Sequence, residues 1–311
     1  MTASSARAPH ARAATLSVLA LLGVTLVWGW TFVIVKDAVA HIPVMDFLAW
    51  RFLVAALVMV VARPGSLRRL DRRGVAHGLG LGALLGGGYV AQTFGLSIGT
   101  PASVSGFLTG MAVVFTPVFG GLLLRRRIGT VAWLAVLLAA AGLALTSLRG
   151  VSFGTGEAIT LVCAACFGMH VVGLSVWSPR DDPYALAVVQ IATVGVVCLA
   201  LAAGLGLSAP AHRVLAVPSG GAVWLALAVT SVLATAVGYL VQTWAQRHVS
   251  STRTAVVLTM EPVFAAVAAV LYGEPLGWAT AVGGAMVLAA MYLVELNPRR
   301  GPETDVERLG P

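Results

Sequence analysis

The heptapeptide Gly88-Tyr89-Val90-Ala91-Gln92-Thr93-Phe94 returns 150 residues later as Gly238-Tyr239-Leu240-Val241-Gln242-Thr243-Trp244. Leu108-Thr109 and Leu258-Thr259 keep that spacing, and Ile128-Gly129 and Leu276-Gly277 follow at 148. An offset held near half of a 311-residue chain means that one unit was duplicated, so the fold must be built from two related halves. Both copies of the motif lie inside long apolar runs. Tyr, Gln and Thr are costly to present to lipid, so these side chains face protein or a cavity.

The runs themselves number ten, over 15–35, 43–62, 75–98, 103–124, 130–147, 157–177, 183–204, 221–245, 254–272 and 276–294. Each has about the 17–25 residues that a bilayer-spanning helix needs. The chain is 59% hydrophobic and only 10% charged, far below the quarter of charged residues usual in soluble domains. Arg7 and Arg12 ahead of the first run, with Ala38-Val39-Ala40 after it, imitate a signal peptide. The first run is long enough to span, however, and Trp28-Gly29 within it pairs with Phe167-Gly168 in the sixth, so it reads as a retained helix.

Orientation follows from the basic residues. With the N-terminus inside, sixteen of the 20 Lys and Arg fall on the inner side, and Lys36, Arg149 and Arg213 fall outside. That asymmetry obeys the positive-inside rule and predicts that both termini are cytoplasmic. The net charge of +8 is thus a topology signal and a match for anionic membrane lipid; it forms no soluble basic surface of the kind nucleic acid needs. Five spans per unit is an odd number, so the second unit enters the membrane from the opposite side. The predicted architecture is an all-α integral membrane protein of ten transmembrane helices in two inverted five-helix repeats, 15–147 and 157–294. Residues 1–14 and 297–311 read as disordered cytoplasmic segments.

Two stretches now resemble a known family. Leu258-Thr259-Met260-Glu261-Pro262-Val263-Phe264-Ala265-Ala266, followed by Leu271-Tyr272-Gly273-Glu274-Pro275-Leu276, is similar to the closing signature of ten-helix EamA-type carriers of the drug/metabolite transporter superfamily. Phe107-Leu108-Thr109-Gly110-Met111-Ala112-Val113-Val114-Phe115-Thr116-Pro117, ending in Arg125-Arg126-Arg127, resembles the matching segment of the first repeat, and Trp28-Gly29 and Arg51-Phe52 fit as well. One departure stands out: Arg126 occupies the place that Glu274 holds in the second repeat. The resemblance implies a secondary transporter of the bacterial cytoplasmic membrane, one that exports small metabolites such as amino acids and needs no cofactor.

Among side chains deep in the apolar runs, Arg51, His170 and Glu261 are ionisable, and an ionisable group there is a functional hypothesis by default. Arg51 and Glu261 lie at similar depth, so they are read either as a structural pair or as Glu261 lining the cavity, where it could carry a proton, while Arg51 pairs with backbone carbonyls. The expected substrate lining is Trp28, Tyr89, Gln92, Thr93, His170, Gln190, Tyr239, Gln242, Trp244 and Glu261, with Trp28 and Trp244 as aromatic walls. Pro117 and Pro262 are expected hinges, because proline breaks a helix ladder. Counting 1.5 Å per residue places Tyr89 and Gln92 about 4 and 8 Å outward of the midpoint of their helix. Tyr239 and Gln242 fall equally far inward, which predicts two separate polar layers.

Other patterns read as packing. Gly78, Gly82 and Gly86 form a small-residue ladder with no strand before it to make a dinucleotide loop. Cys163 and Cys166 lack a second ligand pair, so no metal site is expected. His41 and Asp46 read as loop and interface residues. Two alternatives stay open. One is a nucleotide-sugar or sugar-phosphate exchanger, although no Arg or Lys lies between Thr254 and Leu296 to hold phosphate. The other is a membrane-embedded enzyme, although no nucleophile–base pair or catalytic metal motif accompanies the runs. Monomer and homodimer are not distinguished.

Overall fold

The computed structural model describes residues 7–123, 129–148, 154–177, 180–208, 215–245 and 257–295. Arg125–Arg127 and the tail 297–311 lie outside them. The described residues are helical throughout: α1 (Arg7–Ala38), α2 (Val44–Ala62), α3 (Arg72–Ser97), α4 (Ala102–Gly110), α5 (Ala112–Leu123), α6 (Thr130–Leu148), α7 (Thr155–Trp177), α8 (Pro183–Ser208), α9 (Gly221–Ala228), a π-helical segment Val229–Val237, α10 (Gly238–Ala245), α11 (Glu261–Leu271) and α12 (Trp278–Glu295). Seven helical stretches are long and apolar enough to cross a membrane, among them α4 with α5 and α9 with the π-segment and α10. Three shorter apolar helices, Trp133–Gly142, Glu261–Leu271 and Trp278–Leu293, accompany them. At the start, α1 begins at Arg7, inside the stretch read as disordered.

The helices pair as two related halves would. α2 packs on α8, α6 on α12 and α4 on α11, each an element against its own counterpart. The remaining contacts exchange in the same way: α3 with α7 answers α1 with the π-segment and α10, and α1 with α11 answers α7 with α4 and α5. Apolar side chains gain little by leaving lipid for protein, so close backbone approach through small residues holds these pairs. A Cβ on Gly82 would lie 2.5 Å from Thr193 Cβ and 2.8 Å from the Gln190 carbonyl, and one on Gly142 would lie 2.6 Å from the Gly283 carbonyl. The largest buried cluster runs between α1, α2, α8 and the π-segment, around Phe32, Phe47, Phe52, Ile191 and Val194.

Both members of the α4/α11 pair sit beside an interruption, and the two interruptions match. The Met111 N–H donates to the Leu108 carbonyl and the Met260 N–H to the Val257 carbonyl, each at 3.1 Å, one residue short of an α-helical bond. Phe115 and Phe264 then donate back to Met111 and Met260. Of the two expected hinges, Pro262 stands in the first turn of α11, directly after its interruption. Pro117 does not: α5 runs through it, and the break falls six residues earlier, where Gly110 lets the chain press against Pro262 and Met291.

Polar anchors finish the loops. Asp46, buried at the start of α2, accepts the Ala216 N–H at 3.2 Å while Trp50 donates to the Ala216 carbonyl, so it ties two loops together. His41 bonds only its own turn, to the Asp37 carbonyl. Asp182 caps α8 by accepting from the Ala185 N–H and meets Arg69 at 3.4 Å. Partial burial opposes its ionisation, but the Ala185 N–H and the charges of Arg63 and Arg69 outweigh that and hold its carboxyl below the ordinary 3.8. A lowered carboxylate contributes stability above its unfolded pKa and loses it as pH falls through the folded one. Asp182→Ala should therefore cost about 1 kcal/mol at neutral pH, nearly all from the lost cap. Chemical unfolding in detergent should show that difference shrinking as pH falls below 3.8.

Candidate functional site

The half-buried polar and aromatic side chains converge where α1, α2, α3, α7, the π-segment, α10 and α11 meet. Arg51 from α2 is the centre of that group. Its side chain is 3% exposed, its Nε donates to Thr235 Oγ1 at 3.3 Å, and its guanidinium lies 4.8 Å from the Tyr89 ring centre and 5.1 Å from that of Phe52. It also lies within the field of Tyr89, Tyr239 and Glu261. A buried guanidinium needs such partners, and cation–π contact with two rings supplies part of what water would give.

Tyr89 and Tyr239 come from the two copies of the duplicated motif, and both side chains lie close enough to act electrostatically on Arg51. Each also leans on an aromatic residue of the other half: Tyr89 meets Phe167 edge-on at 5.2 Å, and Tyr239 meets Trp28 at 6.1 Å. Gly88 and Gly238 make room for those same rings, since an added Cβ would meet Phe167 at 2.2 Å and the Trp28 nitrogen at 3.0 Å. Trp28 and Phe167 occupy equivalent positions in the duplicated sequence, which was the available signal for Phe167. Trp244, expected as a wall, is 37% exposed.

The π-segment shapes the second side of the site. In a π-turn the backbone widens and carbonyls lose their usual partners. The Ala234 carbonyl accepts from Trp28 Nε1 at 2.6 Å, and Thr235 Oγ1 donates to the Thr230 carbonyl at 2.8 Å while receiving Arg51. Its equivalent in the first half, the glycine ladder of α3, is an uninterrupted α-helix. Nothing in the apolar pattern of Val229–Val237 distinguishes these two helix types.

Glu261 is half-buried and opens α11, where the positive end of the helix dipole favours a carboxylate. It lies within the field of Arg51. The ion pairs of the described residues are Lys36–Glu274, Arg69–Asp182 and His77–Asp181, so Arg51 and Glu261 are not in ion-pair contact. Two opposite charges, one from each half, thus lie within each other's field without touching.

The other expected lining residues divide. Gln92 is buried and donates to Thr109 Oγ1 at 3.1 Å, which in turn meets Cys163 Sγ at 3.9 Å. Thr93 is fully buried, and its hydroxyl is without a hydrogen-bond partner. Gln242 is half-buried on α10. His170 and Gln190 form their own buried pair at 2.6 Å. The Gln190 amide nitrogen is spent on the Leu186 carbonyl at 3.2 Å, so its oxygen must accept and His170 Nε2 must be the donor. Among the described residues no group of three or more His, Cys, Asp and Glu could hold a metal ion.

Comparison with known proteins follows the same division into halves. The chain is 30% identical over 284 residues to an uncharacterized transporter of Archaeoglobus fulgidus, spanning 90% of this chain and 85% of that protein. A solved crystal structure shares the fold with a TM-score of 0.63 at 19% identity, covering 92% of this chain and 98% of that one. The EamA-like transporter family matches twice, over residues 15–148 and again over 154–296. The chain, matched in both halves and across nearly all of its length, belongs to the EamA-like transporter family.

Proposed function

We propose that the chain binds a small zwitterionic metabolite, such as an amino acid, between its two halves and exports it across the cytoplasmic membrane by alternating access. The observation that carries this reading is the separated pair Arg51 and Glu261. A carboxylate suits the guanidinium, an ammonium suits the glutamate, and the rings of Trp28, Tyr89, Phe167 and Tyr239 suit an apolar remainder. Charges already neutralising one another would leave nothing for a ligand to satisfy. A phosphate dianion would face Glu261 as well as Arg51, which disfavours the sugar-phosphate reading. Counterflow of a labelled amino-acid panel in proteoliposomes tests it; exchange of none of them, with the protein folded, would overturn the substrate class.

In this reading the ten apolar helices all span, the halves are inverted, and both termini face the cytoplasm. The described contacts are consistent with those sides, because Arg63, Arg69 and His77 meet Tyr184, Asp182 and Asp181 at one end. Lys36 and Glu274 meet at the other. Cysteine labelling with an impermeant reagent in intact cells should miss Arg68→Cys and reach Thr155→Cys. Both sites are exposed, whereas the neighbouring Ser66 is 2% exposed and would be silent on either side. The opposite pattern would invert the topology.

A further inference from the structure

Glu274 lies well away from Arg51 in the chain and joins three helices. Its carboxylate pairs with Lys36 at the end of α1. The same carboxylate accepts from the Ala102 N–H at 3.1 and 2.9 Å, one distance to each oxygen, so it also caps α4. Its own position is set from α11. Tyr272 ends that helix, Gly273 takes a φ of +89°, the Gly273 N–H returns to Val270 and the Glu274 N–H to Ala269 at 2.9 Å. This is a Schellman closure, which only glycine enters without strain, and Pro275 stops the helix from resuming. Trp30 and Tyr272 add an edge-on ring contact 6.3 Å between centres beside it.

We propose that Glu274 is a clasp that holds the outer ends of α1, α4 and α11 together, and that opening the site to the outside requires its release. The proposal rests on the transport reading and the orientation given above. Below the clasp the same three helices are pressed together: Gly106 sits against Ala265, Gly110 against Pro262, and Gly29 against Phe264. These contacts lie at the Glu261 end of the path from Glu261 to Glu274, so separating α4 from α11 there would uncover the site. The interruptions at Met111 and Met260 mark where each helix can bend to do so. The duplicated sequence places Arg126 opposite Glu274, so the inner face has no equivalent carboxylate at that position. The clasp belongs to one face.

Reciprocal labelling tests it. Ser103, 4% exposed and one residue below Ala102, reports the outer path as Ser103→Cys, and Gln242→Cys reports the inner one, each over the background of the three native cysteines. With Glu274→Ala, impermeant reagent outside should label Ser103→Cys roughly tenfold faster, and labelling of Gln242→Cys from the cytoplasmic side should fall. Lys36→Met keeps the cap on α4, so it should give the same reciprocal change, about threefold, and it serves if Glu274→Ala does not fold. Faster outer labelling without the inner fall would mean local fraying and would overturn the clasp, as would no change at either site. Counterflow that persists beside no reciprocal change sinks the clasp alone. Reciprocal labelling in a protein that exchanges no amino acid supports the clasp and sinks the substrate reading.

Discussion

Arg51→Leu should abolish counterflow and yet leave the protein as stable as before, or more so. Replacing a buried charge by an apolar side chain of similar volume is often neutral or stabilising, because the scaffold no longer bears its desolvation. The ligand carboxylate, however, loses a charge-assisted bond of about 1.5–3 kcal/mol, roughly 10- to 150-fold in affinity. Glu261→Gln should behave alike from the other side: unchanged folding, and exchange of zwitterions lost together with pH-gradient-driven uptake. If pH-driven uptake disappears while counterflow survives, Glu261 carries a proton rather than the ammonium. If Arg51→Leu unfolds the protein while each folded molecule still transports, Arg51 is a structural residue. Thermal unfolding and counterflow measured on the same preparations separate these outcomes.

The second large effect needs no charge. Gly29→Ala would bring a Cβ to 2.6 Å from Phe264 Cβ, 2.7 Å from the Ala265 nitrogen and 2.8 Å from the Glu261 carbonyl. Two of those atoms belong to the backbone of α11 and cannot turn aside. Overpacking of this kind costs about 1–3 kcal/mol, and here it also drives α1 away from the residue that presents Glu261. Gly23 lies less than two turns earlier on the same helix, and a Cβ there meets nothing within 4 Å. Gly23→Ala should therefore be neutral or stabilise by up to about 1 kcal/mol, as expected for glycine in a helix interior. Folded yield in detergent checks the pair, and equal losses from both would refute the packing argument.

The residues differ in how openly the sequence announced them. Duplication reveals itself as an offset, so Tyr89, Tyr239 and the Trp28–Phe167 equivalence were legible without coordinates. Arg51 and Glu261 were legible because charge is conspicuous in an apolar run. Depth counting locates backbones and ignores the reach of the side chain, so it could not report that Tyr89 and Tyr239 both act on Arg51. Proline drew attention to residue 117, while the interruption sits at Met111, where a glycine before it permits contact across the halves. Thr235 and the π-turn were invisible because hydroxyl residues satisfy either helix type equally well. Glu274 was noticed only as a departure from symmetry; its partners lie 238 and 172 residues away in sequence, which no local pattern reports.

Two halves that were true copies would interconvert between their facing states at no net cost, since each state would be the other turned over. The π-turn removes that equivalence. One half presents Val229–Val237 with a carbonyl turned to Trp28, and the other presents the regular helix of α3. Exchanging their roles therefore changes the hydrogen-bond inventory of the empty protein. If the halves alternate as proposed, the unloaded carrier acquires a resting preference for one face, set by its own backbone before any ligand or gradient acts. Under alternating access, a duplicated scaffold with one widened turn becomes a biased two-state device, whose bias is written in nine residues.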